Sequence, residues 1–476
     1  MTSAPGKRGT AFVRRDDASL YRQIYQHIRT AIASGQLQPG GRLPSTRRLA
    51  EEFATARGTI DAAYAMLAGE GYIVARGPAG TIVSPDLGGS VMVGAAARTR
   101  LAANREQHRL DEPKPFQMGL PALDAFPRKL WARLAARRTR ATGAADMFYG
   151  DPSGYPPLRA AIAAYLAVSR GVPCHPAQVF VTGGYRATLA LVSRTLLHKD
   201  DRVWTEDPGF APTLDVLRSA GHRAVPVSVD AQGMVVARGV RKAPKAKMAI
   251  VTPSHQAPLG VSMSLARRLQ LLAWASQAKA WIVEDDYDGE YRYAGPPLPA
   301  LKSLDGHDRV LYAGSFSKVL YPGLALGYVV VPESLIGAFT QAAHTWSNGC
   351  PQITQAVVAD FIREGYFSRH LKKMRLLYAR RRAMLVAALT KAFGDAVRID
   401  LQSGGMHLIA RFDPRHGSDT ELAHRAQRAG LNCQPLSARG TAAFGDEGLL
   451  MGFTNIGSSA QAQQLAAKLR AALGAR

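Results

Sequence analysis

The sequence predicts a multidomain protein: a small helical head that ends in a β-hairpin, then a large α/β domain that carries a smaller α+β lobe. Three observations predict this. The chain has 476 residues, more than one ordinary hydrophobic core accommodates. Its first part shows apolar residues at helical spacing. Further on, near-continuous apolar runs alternate with helical patterns, as in a mostly parallel sheet that is buried on both faces.

The head begins with a predicted helix that has one apolar stripe. The stripe consists of Leu20, Ile24, Ile28 and Ile32. Gly35 ends this helix, and Ser45 is placed to cap a short second helix that buries Leu49 and Phe53. A third helix is predicted around residues 59–68. Two short helices joined by a tight turn are typical of a helix-turn-helix.

Residues 72–83 predict a hairpin wing, which completes a winged helix-turn-helix domain over residues 14–84. Several segments of this domain resemble the GntR winged-helix family in register. They are Pro39-Gly40, residues 42–50, Arg57-Gly58-Thr59, Tyr64, Glu70-Gly71-Tyr72 and Gly80-Thr81. The resemblance implies that the head binds a double-stranded DNA operator.

The resemblance also implies which residues bind DNA. Arg47 and Arg57 would contact the DNA, Thr59 would lie near a phosphate and Arg76 would lie on the wing. An arginine at the start of a recognition helix can bind a guanine edge through two hydrogen bonds. Residues 54–56 read Ala-Thr-Ala where Gly-Val-Ser is more usual, so we expect the recognised bases to be unusual.

A linker is predicted over residues 85–113, where Gly88-Gly89, an alanine run and scattered arginines show no sustained period. The large domain follows over residues 114–476. Its predicted strands are residues 178–182, 202–205, 248–252, 280–283, 310–313 and 326–331, with a helix at residues 185–197. The smaller lobe begins at about residue 350 and has a long helix at residues 366–392, a strand at residues 404–412 and a terminal helix.

Two residues of the large domain point to one cofactor. Lys318 ends the segment Gly314-Ser315-Phe316-Ser317-Lys318, and Asp285 lies at the end of the preceding predicted strand. Pyridoxal 5′-phosphate (PLP) requires a lysine that forms a Schiff base and a carboxylate that holds the pyridinium nitrogen. Strand ends of this kind are where α/β sheets bind ligands. A place in a solvated acidic cluster is the alternative to this role, and it suits the neighbouring Asp286 and Asp288 better than Asp285.

Four segments resemble the fold-type-I aminotransferases. They are residues 149–159, Glu206-Asp207-Pro208-Gly209-Phe210, Thr252-Pro253-Ser254-His255-Gln256 and Glu284-Asp285-Asp286-Tyr287. Joined to a GntR-type head, this domain resembles the MocR subfamily of bacterial regulators. By that resemblance Lys318 holds PLP, Asp285 pairs with the pyridine nitrogen, and Tyr287 bonds the 3′ oxygen of the ring. Phe210 stacks on the ring, and His255 belongs to the cofactor site.

The resemblance further implies a phosphate site. Gly183, Gly184 and Tyr185 lie between a strand and a helix N-terminus, where free N–H groups attract phosphate. Ser315 and Ser317 would supply hydroxyls to the same phosphate. Ala325 stands where the family has a phosphate-binding arginine, so a contact of about 1.5 to 3 kcal/mol is missing. Arg186 is a candidate to replace it.

The pocket departs from the family at further positions. Ala257 and Leu259 stand where Phe and Thr or Ser are usual, and Leu450 stands where an arginine binds the substrate carboxylate. Arg439 or Arg411 is a candidate substitute, and spacing does not select between them. These losses argue against efficient transamination of ordinary amino acids.

Charge and composition exclude several classes of protein. The net charge is +24, but it is spread along the chain and does not locate a DNA-binding part. Three cysteines, Cys174, Cys350 and Cys433, show no metal-ligand spacing, and we expect reduced, buried thiols. No apolar run is long enough for a membrane span, and the first ten residues lack the apolar core of a signal peptide. We therefore expect a cytoplasmic protein without a membrane partner. The resemblance to GntR-type regulators implies that the head binds its operator as part of a homodimer.

Some alternatives stay open on sequence alone. The cations of residues 369–382 form either a second DNA surface or a solvated or dimer-contact face. The leading interpretation of the whole chain is a transcriptional regulator that senses PLP or an amino-compound effector. The others are a true aminotransferase with an accessory DNA-binding head and a regulator whose large domain no longer binds PLP.

Overall fold

The computed structural model describes residues 19–87, 113–293, 298–346 and 349–474. The chain divides into two compact units, Met1–Glu112 and Pro113–Arg476. The first few residues of the predicted head and most of the predicted linker, residues 88–112, lie outside the described residues. No helix in the described part of the chain is long and apolar enough to cross a membrane.

The first unit is a three-helix domain with a two-stranded wing. Its elements are α1 (Leu20–Ala33), α2 (Thr46–Glu52), α3 (Arg57–Gly69), β1 (Ile73–Ala75) and β2 (Thr81–Val83). The predicted stripe of α1 is buried at Ile24, Ile28 and Ile32. Ser45 caps α2, since its side chain accepts a hydrogen bond from the backbone N–H of Arg48 at 3.3 Å. These features confirm the winged helix-turn-helix.

Two details of the head differ from the prediction. Phe53 follows α2 as its C-cap and is half-buried at the margin of the core, where its ring packs against His27. The third helix begins at Arg57 rather than at Thr59, so Arg57 is the first residue of the recognition helix. The wing strands pair antiparallel, with Ile73 opposite Val83.

An eight-stranded sheet forms the centre of the second unit. Its order is β3-β10-β9-β8-β7-β4-β5-β6. The strands are β3 (Val179–Thr182), β4 (Arg202–Asp207), β5 (Arg223–Asp230), β6 (Gly233–Met234), β7 (Met248–Val251), β8 (Trp281–Asp286), β9 (Val310–Ser315) and β10 (Gly327–Val330). The pairs β5–β4, β4–β7, β7–β8 and β8–β9 are parallel. Strand β10 is antiparallel to both β3 and β9, and β6 is antiparallel to β5. The predicted mostly parallel sheet is therefore confirmed.

Helices surround this sheet and connect its strands. They are α4 (Arg128–Ala141), α5 (Pro156–Ser169), α6 (Tyr185–Leu196), α7 (Ala211–Ser219), α8 (Val236–Lys242), α9 (Leu265–Ala278), α10 (Phe316–Val319), α11 (Ile336–Trp346) and α12 (Gln352–Arg363). Strands β7, β8 and β9 are almost wholly buried, because helices cover both faces. The carboxyl ends of β4, β7, β8 and β9 consequently open at one edge of the sheet.

The smaller lobe has an antiparallel sheet of order β11-β12-β14-β13. Its elements are α13 (Tyr366–Phe393), β11 (Val397–Asp400), β12 (His407–Phe412), α14 (Asp419–Arg428), β13 (Gln434–Pro435), β14 (Leu449–Gly452) and α15 (Ser459–Leu473). The predicted strand at residues 404–412 thus starts three residues late, because Gly405 adopts a left-handed conformation with φ +86°. All three cysteines are free, and only Cys433 is fully buried.

Candidate cofactor and DNA-binding sites

Lys318 lies in the single turn of α10 that follows β9. It is half-buried, and its Nζ donates a hydrogen bond to the Gly119 carbonyl at 2.8 Å. Gly119 has φ +66°, and a Cβ at this position would lie 2.7 Å from Nζ, so only glycine permits the contact. Burial lowers the pKa of the Lys318 ammonium, while the carboxylates of Asp288 and Asp285 oppose that change. A lysine with a lowered pKa offers more neutral amine for nucleophilic attack.

Asp285 lies on the neighbouring strand at the same edge of the sheet. Parallel pairing of β8 with β9 places it opposite Ala313. It is buried, and burial raises its pKa well above the usual value, with further increases from Asp286 and Glu206. A cationic group bound beside this carboxyl would restore its ionised form, because opposite charges stabilise one another at low dielectric. A pyridinium nitrogen fits that requirement.

A cavity of about 120 Å³ opens at these strand ends. Its lining includes Tyr185, Glu206, Phe210, Thr252, Asp285 and Arg439. The Tyr185 hydroxyl is 2.7 Å from the Thr213 hydroxyl, and its ring meets the Phe210 ring edge-on at 5.7 Å. Phe210 keeps 43% of its surface exposed, so an apolar ring face is available beside Asp285.

Glu206 is a site residue that the sequence reasoning missed. Burial raises its pKa to about 7. Its carboxyl accepts hydrogen bonds from the Thr252 hydroxyl at 2.5 Å and from Gln256 Nε2 at 3.1 Å. These bonds tie the ends of β4 and β7 together below the cavity. The signals in the sequence were an acidic pair, Glu206-Asp207, at the end of an apolar strand and the resemblance of residues 206–210 to the aminotransferases.

Gly183 and Gly184 form the turn between β3 and α6, where the phosphate site is predicted. Gly184 is the N-cap of α6 and offers no side chain to its N–H groups. A Cβ on Gly184 would lie 4.0 Å from the backbone of Ala325, so the position that lacks the family arginine is next to the turn. Arg186 is exposed in the first turn of α6. The Ser315 hydroxyl accepts a hydrogen bond from the Ser317 N–H at 3.2 Å.

The interpretation of Asp286 and Asp288 as solvated residues is wrong. Asp286 is 4% exposed and Asp288 is 1% exposed. Asp286 forms an ion pair with Arg170 at 2.8 Å and accepts a hydrogen bond from the Tyr312 hydroxyl at 2.6 Å. Asp288 Oδ1 is 3.1 Å from His255 Nδ1. Distant segments close over these carboxylates and supply the partners that buried charges require.

The two candidate substrate arginines differ in their surroundings. Arg411 forms ion pairs with Asp400 at 2.5 Å and with Asp446, so its charge is already compensated. Arg439 lines the cavity, and burial lowers its pKa. Leu450, which stands at the usual arginine position, is buried in β14. Of the two candidates, Arg439 alone lies at the cavity.

The cations of residues 369–382 in α13 divide into two groups. Arg381 is buried and pairs with Asp124 at 2.5 Å. Arg382 is half-buried and donates to the Gln402 carbonyl at 2.6 Å. The others are exposed: Arg369, Lys372, Lys373, Arg375 and Arg380. Two of the seven therefore have partners within the second unit, and the other five are exposed.

The predicted DNA-binding residues lie at the surface of the first unit. Arg47 and Arg57 line one shallow groove between α2 and α3. Their side chains are 84% and 69% exposed, and each contacts a carboxylate one turn later, Glu51 at 3.6 Å and Asp61 at 3.7 Å. Exposed pairs of this kind contribute little, so both guanidiniums are available to another anion. Thr59 is half-buried in α3, and Arg76 is exposed between the wing strands.

Comparison with known proteins covers both units. The family model for aminotransferase class I and II matches residues 124–450, and that for bacterial regulatory proteins of the gntR family matches residues 20–83. The probable rhizopine catabolism regulatory protein MocR of Rhizobium meliloti is 38% identical over 93% of this chain and 92% of its own. The HTH-type pyridoxine biosynthesis transcriptional regulator PdxR of Corynebacterium glutamicum is 32% identical, with 92% of each chain covered.

Solved structures give the same result for the second unit. The α-aminoadipate aminotransferase LysN of Thermus thermophilus, solved with N-(5′-phosphopyridoxyl)-L-leucine, matches with a TM-score of 0.68 and 28% identity. The match covers 80% of this chain and 96% of that one. The second unit therefore has the predicted fold-type-I aminotransferase fold, and it follows a GntR helix-turn-helix head. The chain belongs to the MocR-type transcriptional regulators of the GntR family.

Proposed function

We propose that this regulator binds a double-stranded DNA operator through its head and binds PLP covalently through Lys318. One observation carries the proposal: Lys318, directly after β9, and Asp285, on the adjacent strand β8, lie at one edge of the sheet, where a cavity lined by Asp285 opens. When bound, PLP supplies an electrophilic carbon that condenses with amines. The occupant to be sensed is then PLP itself or an amino compound that competes with Lys318.

Asp285, Phe210 and Tyr185 line the cavity, and they and the other residues predicted for the site fit such a group. Asp285 would hold the pyridinium nitrogen, since a cation there relieves the cost of its buried carboxylate. Phe210 would cover one ring face, and Tyr287 would donate to the 3′ oxygen. Gly183, Gly184, Tyr185, Ser315 and Ser317 would bind the phosphate. Arg186 would compensate in part for Ala325.

Regulation rather than turnover is the better-supported role. Leu450 is buried, so β14 presents no arginine to a substrate carboxylate. Arg439 at the cavity would still let an anionic amino compound bind. We infer that such an effector changes the hydrogen bond between Lys318 Nζ and Gly119 and so alters the segment that contains Gly119.

We propose a homodimer built on the second unit. Met147, Phe148 and Tyr149 are 77%, 76% and 86% exposed. Phe148 and Tyr149 line a groove with Cys350 and Ile353. A contiguous exposed apolar segment of this size marks a protein contact, and a second copy would bury it symmetrically. A DNA-bound protein of this kind acts in the cytoplasm.

Visible absorbance of the purified protein with added PLP tests the cofactor proposal. We expect a new absorbance band, and after borohydride reduction a mass increase on the peptide that contains Lys318. Lys318→Ala should lose both signals, while the exposed Lys245→Ala should keep them. No band in the unmutated protein, or a label on another lysine, would contradict the proposal.

A further inference from the structure

His255 lies between two side chains that follow β8. Its Nδ1 is 3.0 Å from the Tyr287 hydroxyl and 3.1 Å from Asp288 Oδ1. His255 is 5% exposed and Asp288 is 1% exposed. One ring nitrogen therefore faces two polar partners in a place that water hardly reaches.

The chemistry of the partners decides which atom carries hydrogen. An ionised carboxylate only accepts hydrogen bonds, so its contact with Nδ1 requires hydrogen on Nδ1. With that hydrogen present, Nδ1 cannot accept the hydrogen of the Tyr287 hydroxyl. The Tyr287 oxygen then lies beside the Nδ1–H group of His255. The hydroxyl hydrogen of Tyr287 is therefore free to be donated to a different acceptor.

The backbone fixes the orientation of the His255 ring. Gly405 has φ +86°, and a Cβ added there would lie 2.1 Å from His255 Cε1. Only glycine allows this close approach. The ring of His407 lies 5.8 Å away, and its Nε2 is within 2.8 Å of the Pro258 carbonyl. Burial lowers the pKa of His407 to about 4, so a neutral His407 does not compete as a cation for Asp288.

Tyr287 keeps its hydrogen in these surroundings. Burial raises its pKa well above the usual value. The carboxylates of Asp288, Asp285, Glu206 and Asp286 raise it further, because a phenolate beside them would be repelled. Tyr287 is therefore a hydrogen-bond donor whose direction depends on what His255 does.

We propose that Asp288 is a positioning residue: by keeping hydrogen on Nδ1 of His255, it directs the Tyr287 hydroxyl hydrogen away from His255 and toward a ligand bound beside Asp285. The proposal rests on the proposed function, in which the acceptor is the 3′ oxygen of PLP. Asp288 thus acts on the bound ring through two side chains without touching it. A ligand that lacks an acceptor at that place loses this hydrogen bond, so the chain of three residues also selects among ligands.

A double-mutant cycle on the PLP-loaded protein tests the coupling. The pH midpoint of the visible absorbance is measured for the unmutated protein, Asp288→Asn, Tyr287→Phe and the double variant. We expect Asp288→Asn to move the midpoint differently in the two backgrounds, by about 0.5 to 1 pH unit, the equivalent of one neutral hydrogen bond. Equal shifts in both backgrounds would show that Asp288 acts by charge alone and would overturn the proposal. The exposed Asp215→Asn is the control and should not shift the midpoint.

A second measurement uses the protein without PLP. Nitrogen-15 NMR of histidine side chains distinguishes hydrogen on Nδ1 from hydrogen on Nε2, and His255→Gln identifies the His255 signal. We expect the Nδ1–H form in the unmutated protein and a shift toward Nε2–H in Asp288→Asn. An Nε2–H form in the unmutated protein would overturn the proposal even if the variant does not fold. If PLP gives no absorbance band, the proposed function fails, while this measurement still decides the role of Asp288.

Discussion

The functional side chains of the two units are placed in opposite environments. In the first unit, Arg47 and Arg57 are more than two-thirds exposed and have only weak partners. In the second, Asp285 and Asp288 are buried and Glu206 is half-buried in a hydrogen-bonded and charged network, and burial raises the pKa of Asp285 and Glu206. A DNA phosphate or base edge is met at the surface, whereas a small ring must be enclosed. We therefore expect substitutions at Arg47 and Arg57 to affect DNA binding alone, whereas substitutions in the buried network affect ligand binding and stability together.

The largest expected effect is on the stability of the second unit. Arg170→Ala removes the partner of Asp286 at 2.8 Å and of Glu290 at 3.4 Å, leaving buried carboxylates unpaired. We expect a loss of about 3 to 5 kcal/mol in the free energy of unfolding, measured by urea denaturation. Arg218→Ala, which breaks an exposed pair with Asp215, should cost less than about 1 kcal/mol. Similar losses in both variants would remove the contrast between the two environments.

The next effect concerns PLP affinity. Asp285→Asn removes the charge that would hold the pyridinium nitrogen, a charge-assisted hydrogen bond of about 1.5 to 3 kcal/mol. We expect PLP to bind roughly tenfold to a hundredfold more weakly, measured by absorbance titration, with unchanged DNA binding. An unchanged PLP dissociation constant would assign Asp285 a purely structural role.

Arg57→Ala, the corresponding substitution in the head, should leave PLP binding intact. We expect Arg57→Ala to abolish specific binding to a DNA sequence enriched from a random pool, since a two-bond guanine contact contributes about 1 to 3 kcal/mol of discrimination. Fluorescence anisotropy measures it, and the exposed Arg22→Ala on α1 is the control. If Arg57→Ala binds the selected DNA as the unmutated chain does, the predicted recognition helix does not read bases.

The smallest effect is a change in the pH dependence of stability. Burial raises the pKa of Glu206 to about 7, above its value in the unfolded chain, so the folded state holds the proton more tightly. The resulting stability is present below the unfolded pKa and is lost as the pH rises toward about 7. Glu206→Gln should reduce this loss between about pH 5 and pH 7, as thermal melting would detect. An unchanged slope would mean that Glu206 is ionised in the folded protein.

Local pattern predicted much of the fold. The strands at Arg202, Met248 and Val310 start where the apolar runs predict, and the long helix at Tyr366 ends within one residue of its expected end. Element bounds that differ from the predicted ones depend on backbone conformation. At Gly405, for example, the left-handed φ makes β12 start later than predicted. The antiparallel β10 followed from no local signal, because strand direction depends on the path of the whole chain.

Local spacing and family motifs were enough to predict the head and the aminotransferase-like unit, and they also single out Lys318 and Asp285 as the proposed cofactor pair. The three-dimensional fold was needed to show that Asp286 and Asp288 are buried, that Arg439 and not Arg411 lies at the cavity, and that Arg381 pairs with Asp124. The physical reason is that burial and charge pairing arise between distant segments, such as Arg170 with Asp286 and Arg381 with Asp124. The residues next to a charged side chain in the sequence do not reveal which distant residue it will pair with in the fold.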